Sequence, residues 1–117
     1  WPDTTNALGF PLDEVQPASR RFAGKFYASG MASRSASVGH GDEWLTIKWD
    51  EAIDDLGIWL NYGAWPSVPG THHIALEPTT GSADHLGQAL ASGSPATIVP
   101  GATAAWTITL TLAKEAQ

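Results

Sequence analysis

The run from Trp106 to Leu112, in which large apolar residues alternate with threonines, constrains the fold more than any other segment. Successive side chains of a β-strand point to opposite faces, so Trp106, Ile108, Leu110 and Leu112 share one face and the threonines share the other. An α-helix repeats every 3.6 residues and would scatter the same residues around its circumference. The run therefore predicts a strand over residues 104–113 with one face packed in a core.

Other short segments rich in β-branched and aromatic residues follow one another, separated by turn-forming residues. This spacing is typical of all-β proteins and predicts an antiparallel β-sandwich with at most one short helix. The further predicted strands cover residues 21–28, 32–38, 43–49, 57–62, 72–77 and 96–99. Pro100 and Gly101 predict a turn that joins the last two strands as a hairpin. The short helix is predicted over residues 83–91, with Ser82 as its cap.

The N-terminal part of the chain has a composition of its own. Prolines among Asp, Thr, Asn and Gly in residues 1–20 favour turns and extended loops, which predicts an irregular lead-in. Residues 21–117 are predicted to form a β-sandwich domain or the C-terminal portion of a larger one. A length of 117 residues with 43% hydrophobic residues suffices for one compact core.

Charge and amino-acid usage argue against several classes of function. The formal net charge is −6 and the basic residues form no cluster larger than one pair, so no nucleic-acid partner is predicted. No apolar stretch approaches the about 20 residues of a membrane span, so no membrane partner is predicted either. Cysteine is absent, and His72 and His73, being adjacent on a strand, point to opposite faces. We therefore predict no metal site and no cofactor, and the compartment stays open.

Two predicted strands in the middle of the chain each have one apolar face and one face with aromatic and polar groups. The residues of these mixed faces are Trp59, Asn61, His73 and Glu77. In one sheet they would line a common surface, where an indole ring packs on the C–H face of a pyranose and polar groups bind its hydroxyls. Trp65, in a loop flanked by Gly and Pro, is predicted to add a second indole. Core packing is the alternative for both tryptophans.

The carboxylate of Glu77 is the principal candidate for chemistry. Pro78 removes a backbone donor and restricts the residue before it, which predicts that the strand ends at Glu77 with the carboxylate at its rim. A solvated edge group, or a partner for a nearby Lys or Arg, is the alternative interpretation. Trp44, Trp49 and Trp106 are predicted to be core residues, because large aromatic side chains stabilise a fold by burial.

The segments GIWLNYGAWP (57–66) and HIALEPTTG (73–81), with Pro100-Gly101 before WTITL (106–110), resemble the last third of an aldose 1-epimerase, a galactose mutarotase-like protein. The resemblance implies a supersandwich fold and a sugar site. The Glu of a similar Glu-Pro segment is the general base in that family, which implies this role for Glu77. It would take the proton of the anomeric hydroxyl while an acid protonates the ring oxygen. The family's acid lies in upstream strands that this chain does not contain.

Two kinds of function are therefore predicted. One is interconversion of sugar anomers by acid–base ring opening, which requires the complete domain. The alternative is a non-catalytic module for carbohydrate binding or assembly. A small-molecule sugar is the predicted ligand in the first case. Because a partial sandwich leaves apolar edges open, a homo-oligomer or association with a missing N-terminal portion is also predicted.

Overall fold

The computed structural model describes residue 1 and residues 4–92 and 96–114. Within this part of the chain the six strands are β1 (Phe22–Ser29), β2 (Ser35–His40), β3 (Glu43–Trp49), β4 (Asp55–Tyr62), β5 (His72–Thr79) and β6 (Ile108–Ala113). The helical elements are α1 (Thr5–Leu8), a 3₁₀ turn (Ala18–Arg20) and α2 (Leu86–Ser92). The strands are rich in β-branched and aromatic residues, as a pleated and partly buried surface requires.

Two three-stranded sheets, in the orders β1-β4-β5 and β2-β3-β6, confirm the predicted all-β, sandwich-type fold class. The second sheet is antiparallel in both of its pairings. In the first sheet β4 is the central strand, and an isolated parallel bridge joins Phe22 to Gly63. Seven of the eight residues of β4 are buried, as expected of a strand with neighbours on both sides.

The predicted C-terminal hairpin is wrong. Residues 96–99 form no strand, and β6 pairs with β3 instead. The turn itself is present: the backbone N–H of Ala102 donates to Val99 O at 3.0 Å, and Gly101 has a φ of 81°. Pro followed by Gly with positive φ is the sequence that a type II turn requires. Local chemistry thus specified the turn, while the strand partner depended on a distant segment.

Two element ends also differ from prediction. Strand β5 continues through Pro78 to Thr79 because it is an edge strand, where a residue without an N–H is tolerated. Helix α2 begins at Leu86, and the backbone N–H groups of Gln88 and Ala89 donate to His85 O at 3.0 and 3.1 Å. Ser82 lies too far upstream to cap it.

The described chain divides into two compact units, one comprising Trp1–Lys25 with Trp59–Ala75 and the other Phe26–Ile58 with Leu76–Gln117. An aromatic cluster forms the core of the first unit. Phe10, only 2% exposed, packs edge-on against Phe22 and Tyr62, with ring centroids 5.1 and 5.9 Å away. The guanidinium of Arg20 lies 4.9 Å from the centre of the Phe10 ring and donates to Gly9 O. Phe10 therefore anchors the lead-in, which composition alone did not indicate.

The core of the second unit contains Ile53, Leu56 and Ile58, all nearly inaccessible to solvent. Trp49 is buried as predicted, and Trp44 is half-buried against Gly39, where an added Cβ would lie 2.5 Å from the indole ring. The third tryptophan predicted to be in the core is not: Trp106 is 53% exposed. It precedes an edge strand whose apolar face the fold leaves uncovered.

Tyr62 makes the first unit sensitive to alkaline pH. Burial raises the pKa of its phenol above the usual value of 10.0, and a hydrogen bond with the backbone of Gln16 offsets part of this rise. The folded chain therefore holds this proton more tightly than the unfolded chain. Protonated Tyr62 contributes to the free energy of unfolding below about pH 10, and this contribution is lost as the pH rises further.

We expect the free energy of unfolding to fall as the pH rises above about 10. Urea unfolding between about pH 8 and pH 11 measures this. Replacing Tyr62 with Phe removes the titrating group, so the difference in stability between the two proteins should be constant below pH 10 and shrink above it. A difference that stays constant across the whole range contradicts the assignment.

Candidate functional site

Asn61 is fully buried in β4 and holds the following loop in place. Its Oδ1 accepts hydrogen bonds from the backbone N–H groups of Ala64 and Trp65, at 3.3 and 3.1 Å. Its Nδ2 donates to Trp65 O and to Thr71 Oγ1, both at 2.9 Å. The side-chain amide thus uses both donors and both acceptor positions within the protein. Asn61 was predicted to line a ligand surface; in the structure no part of it reaches solvent, and its amide holds the following loop.

The loop that Asn61 organises spans residues 63–71 and is closed at its base by backbone hydrogen bonds. Gly63 N–H donates to Thr71 O at 3.1 Å, and Gly70 N–H donates to Gly63 O at 2.9 Å. Thr71 N–H in turn donates to Trp65 O at 3.1 Å. The loop therefore has a defined shape, and Trp65 within it has 55% of its surface exposed.

A chain of hydrogen bonds orients Trp59. The indole Nε1–H donates to His73 Nε2 at 3.0 Å, so Nε2 is an acceptor. A neutral imidazole with Nε2 as acceptor carries its proton on Nδ1, which then donates to Thr71 Oγ1 at 3.1 Å. The Thr71 hydroxyl donates onward to Trp65 O at 3.4 Å. His73 thus positions the Trp59 ring, and both of its nitrogens are engaged within the protein.

The two indole rings of Trp59 and Trp65 meet edge to face, with centroids 6.1 Å apart and planes at 88°. Trp59 is the one residue of β4 that is not buried, although a central strand position favours burial. We call Trp59, Trp65, Thr71 and His73 the aromatic corner. Because hydrogen bonds already fix the Trp59 ring, a ligand that packs on it would lose little side-chain freedom in doing so.

Glu77 lies in the second unit, whereas the other predicted site residues lie in the first. It is half-buried in β5, two residues before the strand ends. Its side chain lies across Gly57 of β4, where an added Cβ would be 3.3 Å from Glu77 Oε2 and 3.4 Å from Glu77 Cβ. A larger residue at position 57 would displace the carboxylate, so Gly57 makes the space that Glu77 occupies.

The two adjacent histidines contact different partners, as strand alternation predicted. His72 Nε2 lies 2.8 Å from Gln16 O, and its ring lies 5.8 Å from that of Tyr62, whereas His73 contacts Trp59 and Thr71. Across residues 1, 4–92 and 96–114, His, Asp and Glu side chains nowhere gather in a group of three or more suited to a metal ion. In the same part of the chain, every helix is too short or too polar to cross a membrane.

Sequence reasoning missed two residues that shape the aromatic corner. Thr71 precedes His73 by two positions, so strand alternation already placed both side chains on one face, but its hydroxyl gave no motif. Gly63 has a φ of 82°, and a Cβ there would lie 2.3 Å from Ala18 O. In the sequence Gly63 is simply a glycine directly after a predicted strand, and glycine is common at such loop positions.

Comparison with known proteins identifies no relative: no protein-family model, curated protein or solved structure matches the chain. The resemblance to aldose 1-epimerases therefore rests on the sequence motifs that carry it. The aromatic corner and Glu77 are the features of the chain that bear on its function.

Proposed function

We propose that the chain binds a carbohydrate on the aromatic corner. The observation that supports this is the perpendicular pair of Trp59 and Trp65, one ring fixed by its hydrogen bond to His73 and the other 55% exposed. An apolar ring of this kind is costly to leave in water, and it matches the C–H face of a pyranose.

Stacking supplies most of the binding energy in this proposal. His73 and Asn61 spend their hydrogen-bonding groups on the protein, so they orient the rings instead of binding hydroxyls. A ring face that covers about 100 Å² of sugar contributes about 2–3 kcal/mol before the cost of association. Two such faces give about 4–6 kcal/mol, and the cost of association offsets most of it, so the dissociation constant should be millimolar or weaker. Binding should therefore be weak and tolerant of the sugar's hydroxyl pattern.

Trp65→Ala is expected to weaken sugar binding at least about tenfold, because it removes the more exposed of the two rings. The measurement is a titration of the full chain with galactose, glucose and their β-linked oligosaccharides, followed by tryptophan fluorescence and by NMR. Trp1→Ala is the matched control, since Trp1 is 60% exposed and lies outside the aromatic corner. Equal effects of the two substitutions, or a wild-type chain that binds none of these sugars, would refute the proposal.

Anomer interconversion is the second candidate function, and the position of Glu77 over Gly57 favours it. A half-buried carboxylate held where the opposite residue has no side chain can accept a proton from a bound anomeric hydroxyl. An acid would protonate the ring oxygen at the same time, and the bond between C1 and the ring oxygen breaks to give the open-chain aldehyde. The aldehyde rotates about the C1–C2 bond, and ring closure with the two proton transfers reversed gives the other anomer. This role for Glu77 follows from the resemblance to aldose 1-epimerases.

Polarimetry of α-galactose and α-glucose separates the two functions. If Glu77 is the base, Glu77→Gln abolishes catalysed mutarotation and leaves sugar affinity unchanged, whereas Glu43→Gln, at an exposed position of β3, keeps full activity. A wild-type chain that binds sugar without accelerating mutarotation would assign it to non-catalytic binding.

A further inference from the structure

The apolar face of the second sheet is covered along β3 and open along β6. Ile47 and Trp49 are 9% and 6% exposed, and their partners in register are Leu110 and Ile108. These partners are 64% and 41% exposed, and Leu112, the next residue on the same face, is 83% exposed. The prediction that this strand packs one face in a core is thus wrong for β6. The packing that buries the apolar face of β3 therefore does not extend to the edge strand β6.

In the part of the chain that the structure describes, no strand pairs with the outer side of β6. It is the last strand of the sheet, and Asp50 N–H donates to Thr107 O at 3.2 Å. Hydrogen-bonded and non-hydrogen-bonded positions alternate in antiparallel pairs, so the odd-numbered residues of β6 bond to β3. The N–H and C=O groups of Ile108, Leu110 and Leu112 therefore point to the outer edge. The residues that expose apolar side chains are the same ones that expose backbone groups.

Edge strands in stable monomers usually carry a charge, a proline or a bulge that prevents pairing. Strand β6, all of it described, has none of these: it pairs with β3 in continuous register. From Leu86 to Ala113 the sequence holds no Asp, Glu, Lys or Arg, although the chain as a whole has a net charge of −6. The edge of β6 itself can therefore meet the edge of a second copy without like charges facing each other.

We propose that β6 pairs with β6 of a second copy, antiparallel, around a twofold axis at Leu110. In this register Leu110 lies opposite itself, and Ile108 lies opposite Leu112 of the second copy. Thr109 lies opposite the second copy's Thr111 on the other face. The sequence ITLTL is nearly symmetric about its centre, so apolar residues meet apolar residues and threonines meet threonines. The outward backbone groups of the even-numbered residues form about six hydrogen bonds.

The exposed apolar area of this edge is large enough for a weak dimer. With about 100 Å² for a fully exposed Leu or Ile side chain and about 200 Å² for Trp, Trp106 and the three apolar residues of β6 expose about 300 Å². Two copies together with the paired backbone would bury on the order of 1,000 Å², near the lower limit of specific interfaces. A dissociation constant in the micromolar range is expected.

Sedimentation velocity of the full chain, from about 1 to 300 µM in about 0.15 M salt, tests the dimer. The wild-type chain should shift from monomer to dimer across this range. Leu110→Lys places two ammonium groups opposite each other and should raise the dissociation constant at least about tenfold. Leu86→Lys is the matched control, at a 73% exposed position of α2, and should associate like wild type. A wild-type monomer at every concentration, or equal behaviour of the two variants, would overturn the proposal.

A single-cysteine variant tests the register itself, because the chain has no cysteine of its own. Residues opposite each other in a hydrogen-bonded antiparallel pair have Cα atoms about 5.5 Å apart, within reach of a disulfide. Under mild oxidation with oxidised glutathione, Leu110→Cys should form a covalent dimer much faster than Leu86→Cys. Equal rates would exclude the twofold axis at Leu110. This readout also serves if the lysine variant fails to fold.

Discussion

Asn61→Ala is expected to lower the free energy of unfolding by about 3 kcal/mol. The substitution removes two donors and two acceptors from a residue with 0% exposure. It leaves the N–H groups of Ala64 and Trp65 without the acceptor that satisfies them. Trp65 O and Thr71 Oγ1 each lose one donor and keep their other hydrogen bonds. Each buried polar group without a partner costs about 1–3 kcal/mol, and loop rearrangement recovers part of the sum.

Urea unfolding of the variant measures this loss, with Asn6→Ala as the matched control. Asn6 is an exposed residue of α1, and its substitution should change the free energy of unfolding by less than about 0.5 kcal/mol. The Asn61 variant should also bind sugar more weakly at temperatures where it is fully folded, because the loop that presents Trp65 has lost its anchor. Similar stability of the two variants would show that backbone hydrogen bonds alone hold the loop.

Gly63→Ala is expected to lower the free energy of unfolding by more than about 3 kcal/mol. Two costs combine at this position: a φ of 82° that disfavours a side chain, and a Cβ that would lie 2.3 Å from Ala18 O. Relief of that clash must move backbone atoms of the Ala18–Arg20 turn. A backbone neighbour cannot rotate away as a side chain can.

Gly41→Ala separates the two costs in the same denaturation experiment. Gly41 has a φ of 63°, and an added Cβ there would meet nothing within 4 Å. Its substitution should cost only the conformational penalty of about 1–2 kcal/mol. If Gly63→Ala is no worse than Gly41→Ala, the close approach to Ala18 is relieved at little cost and has no role in stability.

Secondary structure was predictable where local pattern decided it. Strand β3 has the predicted bounds, and the turn at Pro100 and Gly101 forms as its sequence specifies. The predicted strands and strand ends were wrong where they depended on a partner that is distant in the sequence. Residues 96–99 have β-forming side chains but pair with none of the described strands. Strand β5 passes through Pro78 because it is the last of the described strands in its sheet. Neither fact can be read from neighbouring residues.

The candidate site was predictable only in part. Period-two alternation correctly grouped Trp59 with Asn61 on one side of β4, but it assigned both to a ligand surface. Burial divides them: Asn61 is enclosed by the loop that it organises, and Trp59 stays half-exposed. Because strand periodicity specifies a face and not how deeply that face is buried, an exposed ring and a buried loop anchor could not be distinguished from the sequence.

The sequence by itself determined the all-β class, the faces of each strand and the turn chemistry, because these depend on backbone preferences and on side chains a few residues apart. The tertiary structure alone decided which strands pair, which faces are covered and which polar groups are satisfied. The contrast between β3 and β6 illustrates the reason. Both alternate apolar and polar residues, yet Ile47 is buried and its partner Leu110 is exposed. Burial is a property of what packs above a residue, and only the folded chain specifies that neighbour.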